Sequence, residues 1–305
     1  LNGRFKCAIL RHHILFYFAV LGYCFMTDVS AESLSLHPPV ISGITKLYGC
    51  IAHPSAHVRA PSIFNPIFWK NGTDAVMVPV NCPPEHLETV VRGLNGLKNF
   101  GGLAVTIPHK LPLADLCDDL GDGARATGAV NAVRFDDDGK IYGNNFDGEG
   151  FVAGLIGEGY QLQGKRVLLL GAGGAARAVA VAVAHHGCAH LDIANRTLQK
   201  AEAAADLTGK FTSKSSVGTT MLATADLGSY DIVINATSVG LHDDDPHPVL
   251  IDRLASDCLV CDIIMVPDRT NWLIAAEQSG RPVHKGRHML DYQLELIGRF
   301  IGAFD

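Results

Sequence analysis

The residues with the plainest chemical meaning lie in "KRVLLLGAGGAARAVAVAVAHHG". An apolar run ending at Leu170 gives way to the turn Gly171, Ala172, Gly173, Gly174 and Ala175, then to an alanine- and valine-rich stretch reaching Gly187. The spacing is G-x-G-x-x-A. Between a strand and a helix, Gly171 suits the tight turn, Gly173 lets the backbone approach a pyrophosphate, and Ala176 permits close helix–strand packing. The helix start then offers N–H donors and the positive end of its dipole to phosphate groups. The alternative is a tight strand-to-helix turn that holds no ligand. The next strand ends in "DIANRT", where Asn195, Arg196 and Thr197 stand in place of the carboxylate that holds a ribose 2′-hydroxyl. A guanidinium there pairs with a 2′-phosphate, so NADP is the expected cofactor. Asp192 falls three positions too early and reads as structural. A third strand, "DIVINATSVG", ends at Thr237 and Ser238, where open parallel sheets place ligand-contacting loops.

Metal chemistry finds less support. His53 and His57 in "IAHPSAHVRAPSIFN" have i, i+4 spacing, but Pro54 disrupts the helix face that such ligation needs. His185, His186 and His190 fall at a helix end, where a cationic or hydrogen-bonding role is ordinary. Cys258 and Cys261 form a C-x-x-C inside the apolar run "DCLVCDIIMV", with no second pair to complete four ligands, and read as small hydrophobes. No metal is expected. The eight cysteines show no repeated spacing, which fits free thiols in a reducing, cytoplasmic setting.

These residues need elements to position them. At 305 residues and 48% apolar, the chain can bury two compact cores. Apolar runs "KLYGCIA", "AVMVPV", "GLAVTI", "AVNAVRF", "KRVLLLG", "HLDIANR", "DIVINAT" and "CLVCDIIM" alternate with longer segments of helical pattern. That alternation implies βα units, hence an α/β protein with mostly parallel sheets. Composition shifts across residues 143–166, where a glycine-rich turn precedes an apolar segment and a new strand, and a domain boundary is expected there. A net charge of −6 with no basic cluster beyond the first residues excludes a polyanion footprint, so no nucleic-acid partner is expected. The start of the chain, basic and then apolar from Ile14 to Met26, resembles a signal peptide. Met26 followed by polar "TDVSAES", together with the free-thiol pattern, favours an over-extended start instead. The run is too short and interrupted to span a membrane, and no membrane partner is expected.

Taken in order, "VTIPHK", "GAVNAV", "NNFDGEG", "GAGGAAR", "NRT", "NATSVGL" and "GRHMLDYQ" make the chain resemble the shikimate dehydrogenase family over roughly residues 47–300. The resemblance implies a substrate-binding α/β domain over residues 45–150, completed by a helix within 287–305. It also implies a Rossmann NADP-binding domain over 151–286, with 1–44 left as a poorly ordered or over-extended segment. The implied reaction is reversible reduction of 3-dehydroshikimate to shikimate or a close analogue such as quinate, by a monomer or homodimer. Lys110 matches the family's catalytic lysine and Asp147 the carboxylate paired with it, an arrangement able to pass a proton during hydride transfer. Asn131, Thr106 and Gln293 match residues that bind ring hydroxyls. Asp122 and Gly286 match positions near the cofactor.

The sequence also departs from the family at the substrate. Val58 and Ala60 stand where the resemblance implies two serines that hold the substrate carboxylate. Ala104 replaces an asparagine before "VT", and Phe146 replaces a threonine beside Asp147. All four changes make the pocket more apolar. Arg59, Ser62 and Tyr292 are the candidates to compensate. Two alternatives to shikimate chemistry follow: dehydrogenation of quinate or another cyclic alcohol, and NADP-dependent binding without catalysis.

Overall fold

A computed structural model describes residues 40–56 and 58–304. His57 and the segment up to residue 39, including the signal-like run, lie outside the described residues. The first half builds one six-stranded sheet from β1 (Lys46–Ala52), β2 (Ala75–Asn81), β3 (Phe100–Val105), β4 (Asp119–Leu120), β5 (Ala132–Phe135) and β6 (Ile141–Asn144), in the order β2-β1-β3-β5-β6-β4. β1 runs parallel to β2 and β3, whereas β5 is antiparallel to both β3 and β6. Every residue of "FGGLAV" in β3 is buried, as an interior strand covered on both faces requires.

Helix α1 (Ala60–Asn71) follows β1, α2 (Leu87–Asn95) follows β2, and the short α3 (Asp122–Thr127) follows β4. On one face of the sheet, Phe64 and Phe68 of α1 pack with Tyr48 and Met77; on the other, Leu87 and Val91 of α2 pack with Ile51 and Leu103.

The second sheet takes β7 (Arg166–Leu170), β8 (His190–Ala194), β9 (Ser216–Thr219), β10 (Ile232–Asn235), β11 (Leu259–Asp262) and β12 (Val283–His284) in the order β12-β11-β10-β7-β8-β9. All its pairings are parallel. Counted from β7, this is the 3-2-1-4-5-6 order of a dinucleotide-binding Rossmann sheet, whose order reverses between β7 and β10.

Five further helices complete the described residues. Of these, α4 (Asp147–Gly157) leaves the end of β6, α5 (Gly174–His185) follows β7 and α6 (Leu198–Phe211) follows β8. After β11 come α7 (Asn271–Gln278) and, beyond β12, α8 (Gly286–Phe300). The alanine- and valine-rich composition of α5 reflects burial of every residue from Ala178 to Ala184 between α4 and the second sheet. α4 crosses residue 150 and is wedged between α5 and α8. A Cβ at Gly148 would lie 2.1 Å from the Ala178 carbonyl oxygen, and one at Gly150 would lie 2.7 Å from that of Met289. The glycines of "FDGEG" thus let one helix press on two others. α8 returns to the first sheet, where Leu294 and Ile297, with Ile301 just beyond the helix, complete the Phe64 and Phe68 cluster. Burying three such side chains is worth roughly 5–9 kcal/mol of transfer free energy.

Candidate active site

The carboxyl edge of β1 and β3 gathers four chain segments through backbone hydrogen bonds. Thr106 N–H donates to Ile51 O, and His53 N–H to Ile107 O, joining the loops that follow β1 and β3. Val130 N–H donates to Lys110 O at 2.8 Å, and Asn131 N–H to Asn144 O at 2.9 Å, fixing the approach to β5 against the same edge.

Asn131 is the hub. It is 3% exposed, and its Nδ2 donates to Asp147 Oδ1 at 2.9 Å and to Gln293 Oε1 at 3.0 Å. Its Oδ1 accepts the Phe146 N–H at 2.9 Å, so both amide donors are engaged while the oxygen keeps a second acceptor site. Asp147 occupies the first turn of α4, where unpaired N–H groups and the helix dipole favour a carboxylate. Lys110 Nζ reaches Asp147 Oδ2 at 3.0 Å and Oδ1 at 3.3 Å. The lysine side chain stays 31% exposed and the aspartate 12%, so the ammonium faces an opening while the carboxylate is shielded. The Thr106 hydroxyl and Gln293 Nε2 make no hydrogen bond to a described residue. A hydroxylated ligand beside Lys110 would therefore meet available donors and acceptors.

An apolar wall flanks this polar group. Val58, Ala60, Phe146 and Ala104 belong to one cluster with Phe64 and Phe68, and the Phe146 ring meets Phe300 edge-on at 5.4 Å. Arg59 is exposed, and Ser62 Oγ donates to Arg59 O at 2.8 Å. Tyr292 packs over Gly157, at the opposite end of α4 from Asp147.

On the second sheet, Gly171 adopts φ 112°, in the left-handed region, and a Cβ there would lie 2.7 Å from Ala236 O. Gly173 is extended, Gly174 opens α5, both are exposed, and nothing lies within 4 Å of a Cβ added at either. Ala172 and Ala175 are half-buried beside them, and Ala176 is buried. This is a turn open to a phosphate at a helix start. Asn195 Nδ2 donates to Thr197 O at 2.9 Å, while Arg196 and Thr197 are exposed at the end of β8. Asp192 binds the Tyr230 hydroxyl at 2.7 Å and His190 at 3.0 Å. Thr237 donates from its N–H and its hydroxyl to Asn235 Oδ1, and Ser238 is exposed beside it. Gly286, at the start of α8, is buried against the backbone of Ile263 and Ile264. Asp122 stands apart from the Lys110 cluster, exposed and paired with Arg125 at 3.3 Å.

Two positioning residues escaped the sequence reading. Asn145, 4% exposed, accepts the Asp147 N–H at 3.0 Å and donates to Ala129 O at 3.2 Å, fixing the start of α4. Asn235 donates to Asp262 Oδ2 and Val239 O, shaping the loop that carries Thr237. Burial pushes the Asp262 carboxyl up to about 6, against hydrogen bonds from Ile264, Asn235 and Thr270 that pull the other way. Each of these asparagines opens or interrupts a motif, which was the available signal, but partners distant in sequence decide what each one binds.

A Rossmann sheet with an open glycine turn, beside a second α/β domain carrying a half-exposed lysine on a buried carboxylate–amide cluster, defines a dinucleotide-dependent oxidoreductase. Family models for "Shikimate dehydrogenase substrate binding domain" and "Shikimate / quinate 5-dehydrogenase" match residues 50–133 and 155–260. Shikimate dehydrogenase (NADP(+)) of Rubrobacter xylanophilus is 39% identical over 256 residues, covering 84% of this chain and 90% of the relative. Shikimate 5-dehydrogenase from Listeria monocytogenes, solved with shikimate and NAD, superposes with TM-score 0.79 at 28% identity, covering 88% of this chain and 95% of that one. Ligand-free 5-ketofructose reductase of Gluconobacter sp. strain CHM43 superposes with TM-score 0.78 at 32% identity, covering 86% and 95%. The chain belongs to the shikimate dehydrogenase family.

Proposed function

We propose that this chain is an NADP-dependent dehydrogenase that interconverts a ketone and a secondary alcohol on a small polyhydroxylated ring, with 3-dehydroshikimate and shikimate as the first pair to test. The observation that carries this is the Lys110–Asp147 pair at 3.0 Å, tied through Asn131 to Gln293. Residues 45–150 with 287–305 form the substrate side, and 151–286 the cofactor side.

Lys110 holds the proton that the substrate oxygen gains on reduction and releases on oxidation, because its ammonium is the cation that faces the opening. Asp147 orients that ammonium through the 3.0 Å contact. Thr106, Asn131 and Gln293 partner ring hydroxyls as water is excluded, which matters because an unmet hydroxyl costs about 1–3 kcal/mol. Gly171, Ala172, Gly173, Gly174 and Ala175 would cradle the pyrophosphate, with Thr237 and Ser238 beside it, Asp122 and Gly286 flanking the cofactor, and Asn195, Arg196 and Thr197 toward the 2′-phosphate. When bound, NADP supplies or accepts the hydride. The six free cysteines of the described residues fit a reducing cytoplasm, and no described helix is long and apolar enough to cross a membrane.

The test is NADPH consumption by the purified protein with 3-dehydroshikimate, repeated with Lys110→Met. Turnover in the wild type, reduced by about 10²–10⁴-fold in the variant, is expected. Undiminished turnover in Lys110→Met would refute the proton assignment.

One observation favours a second reading of the substrate. The wall of Val58, Ala60, Phe146 and Ala104 offers no side-chain donor to a carboxylate. Two charged hydrogen bonds forgone at Val58 and Ala60 correspond to about 3–6 kcal/mol, or on the order of 10²–10⁴ in affinity. A neutral cyclic polyol or ketose avoids that loss. The structural similarity to 5-ketofructose reductase points the same way. Comparing 5-ketofructose with 3-dehydroshikimate, in the wild type and in Val58→Ser/Ala60→Ser, decides between them. A double variant with unchanged preference would rule the second reading out.

A further inference from the structure

α4 and α5 meet where the substrate side joins the cofactor side, and their contact carries a ligand set that no single segment contains. Glu149 projects from the first turn of α4, two residues after Asp147. His185 is the last residue of α5 and His186 caps it. One ligand atom from each of the three lies within 4.8 Å of the others, and His186 Nε2 already meets Glu149 Oε2 at 2.9 Å.

We propose that Glu149, His185 and His186 form a binding site for a divalent transition ion of the zinc class, distinct from the Lys110 site. Two imidazoles and a carboxylate make a donor set suited to such an ion, and the exposed position leaves a fourth place for water. Ligands bonded at about 2.0–2.1 Å in a tetrahedron lie about 3.4 Å apart, so modest side-chain rotations close the cluster around one ion. Its geometry is held by the backbone: Gly148 packs on the Ala178 carbonyl, and that contact fixes where Glu149 emerges relative to the end of α5. Simple pairing explains His186 but leaves His185 over. His185 has no hydrogen bond or ion pair with a described residue and only an edge-on contact with the His186 ring at 5.9 Å. Adjacent side chains on a helix point about 100° apart, but the end of α5 at His185 lets both rings turn toward α4. An ion bound here would staple the first turn of α4 to α5.

The test uses the full-length protein, Zn²⁺ in competition with a chromophoric chelator, and Co²⁺ as a spectroscopic substitute. The variants are Glu149→Gln, His185→Ala and His186→Ala, each checked for folding by circular dichroism. Losing a group that merely supports a ligand weakens metal binding roughly 10–100-fold, so each variant is expected to weaken this site at least about tenfold. The wild-type Co²⁺ spectrum is expected to lack thiolate charge transfer, and Zn²⁺ is expected to raise the melting temperature of the wild type but not of the variants. The proposal is overturned by absence of saturable binding, by unchanged affinity in any one variant, or by a thiolate band that assigns the ion to cysteines.

Discussion

Asn131→Ala removes the one side chain that touches Asp147, Gln293 and the Phe146 N–H together. The bond to the Asp147 carboxylate is charge-assisted and worth about 1.5–3 kcal/mol, the neutral bond to Gln293 about 1 kcal/mol, and a stranded Phe146 N–H costs about 1–3 kcal/mol. Gln293 can turn and water can enter from the Lys110 opening, so the net destabilisation is expected at about 3–5 kcal/mol, high for one substitution. Urea unfolding should show a lower midpoint at an unchanged m-value, and kcat should fall while NADP affinity stays at the wild-type level. A double-mutant cycle with Gln293→Ala should return a coupling of about 1 kcal/mol. A variant within about 0.5 kcal/mol of wild type and equally active would refute the view that Asn131 organises the site.

Arg196→Ala should weaken NADP binding roughly 10–150-fold and leave NAD binding unchanged, measured by cofactor titration; equal effects on both would rule out a 2′-phosphate contact. Gly148→Ala should destabilise the protein by about 1–3 kcal/mol, because its Cβ would lie 2.1 Å from Ala178 O, and should also lower kcat by displacing the start of α4. Acid stability turns on His284, which is 1% exposed with neither ring nitrogen hydrogen-bonded, and whose pKa burial and then His288 depress from 6.5 to about 3. The unfolded chain takes up that proton below pH 6.5 and the folded chain does not, so stability falls as pH drops from 6.5 toward 3. Asp262 acts oppositely: held up to about 6, it stabilises the fold below pH 3.8 and loses that contribution as pH rises from 3.8 through 6. Each slope is about 1.4 kcal/mol per pH unit, so the two oppose one another between about pH 4 and 6. His284→Phe should therefore gain about 2 kcal/mol on wild type between pH 7.5 and pH 5 in urea unfolding; an unchanged difference would refute the assignment.

Periodicity and turn chemistry made the longer strands legible, and the glycine turn at Gly171 announced the second sheet. The two-residue strands β4 and β12 were not, because two residues carry no period. The antiparallel placement of β5 was equally hidden, since "AVNAVRF" reads alike in either direction. Within the site, motif order pointed to Lys110, Asp147, Asn131 and Gln293 as separate positions. The hydrogen bonds that join them span 16 to 162 residues, beyond any local pattern. Tyr292 shows the limit of adjacency: lying next to Gln293 made it a candidate beside the plainer reading of a helix-surface tyrosine, but neighbours on a helix point in different directions, and it faces Gly157. Glu149 was invisible as a partner of His186 for the same reason as Asn131 and Gln293, since the two come from different helices.

The return of α8 to the first sheet has a consequence in time. Asn131 and Gln293 are separated by 162 residues, all of which must be synthesised before their bond can form. At about 5–20 residues per second, that delay is roughly 8–30 s. Throughout it the Phe64 and Phe68 face lacks the cover of Leu294, Ile297 and Ile301, while an entire dinucleotide-binding sheet emerges behind it. The nascent substrate half must pass that interval with an uncovered apolar surface. Chaperone demand during synthesis should therefore track the integrity of α8 more closely than that of the cofactor turn.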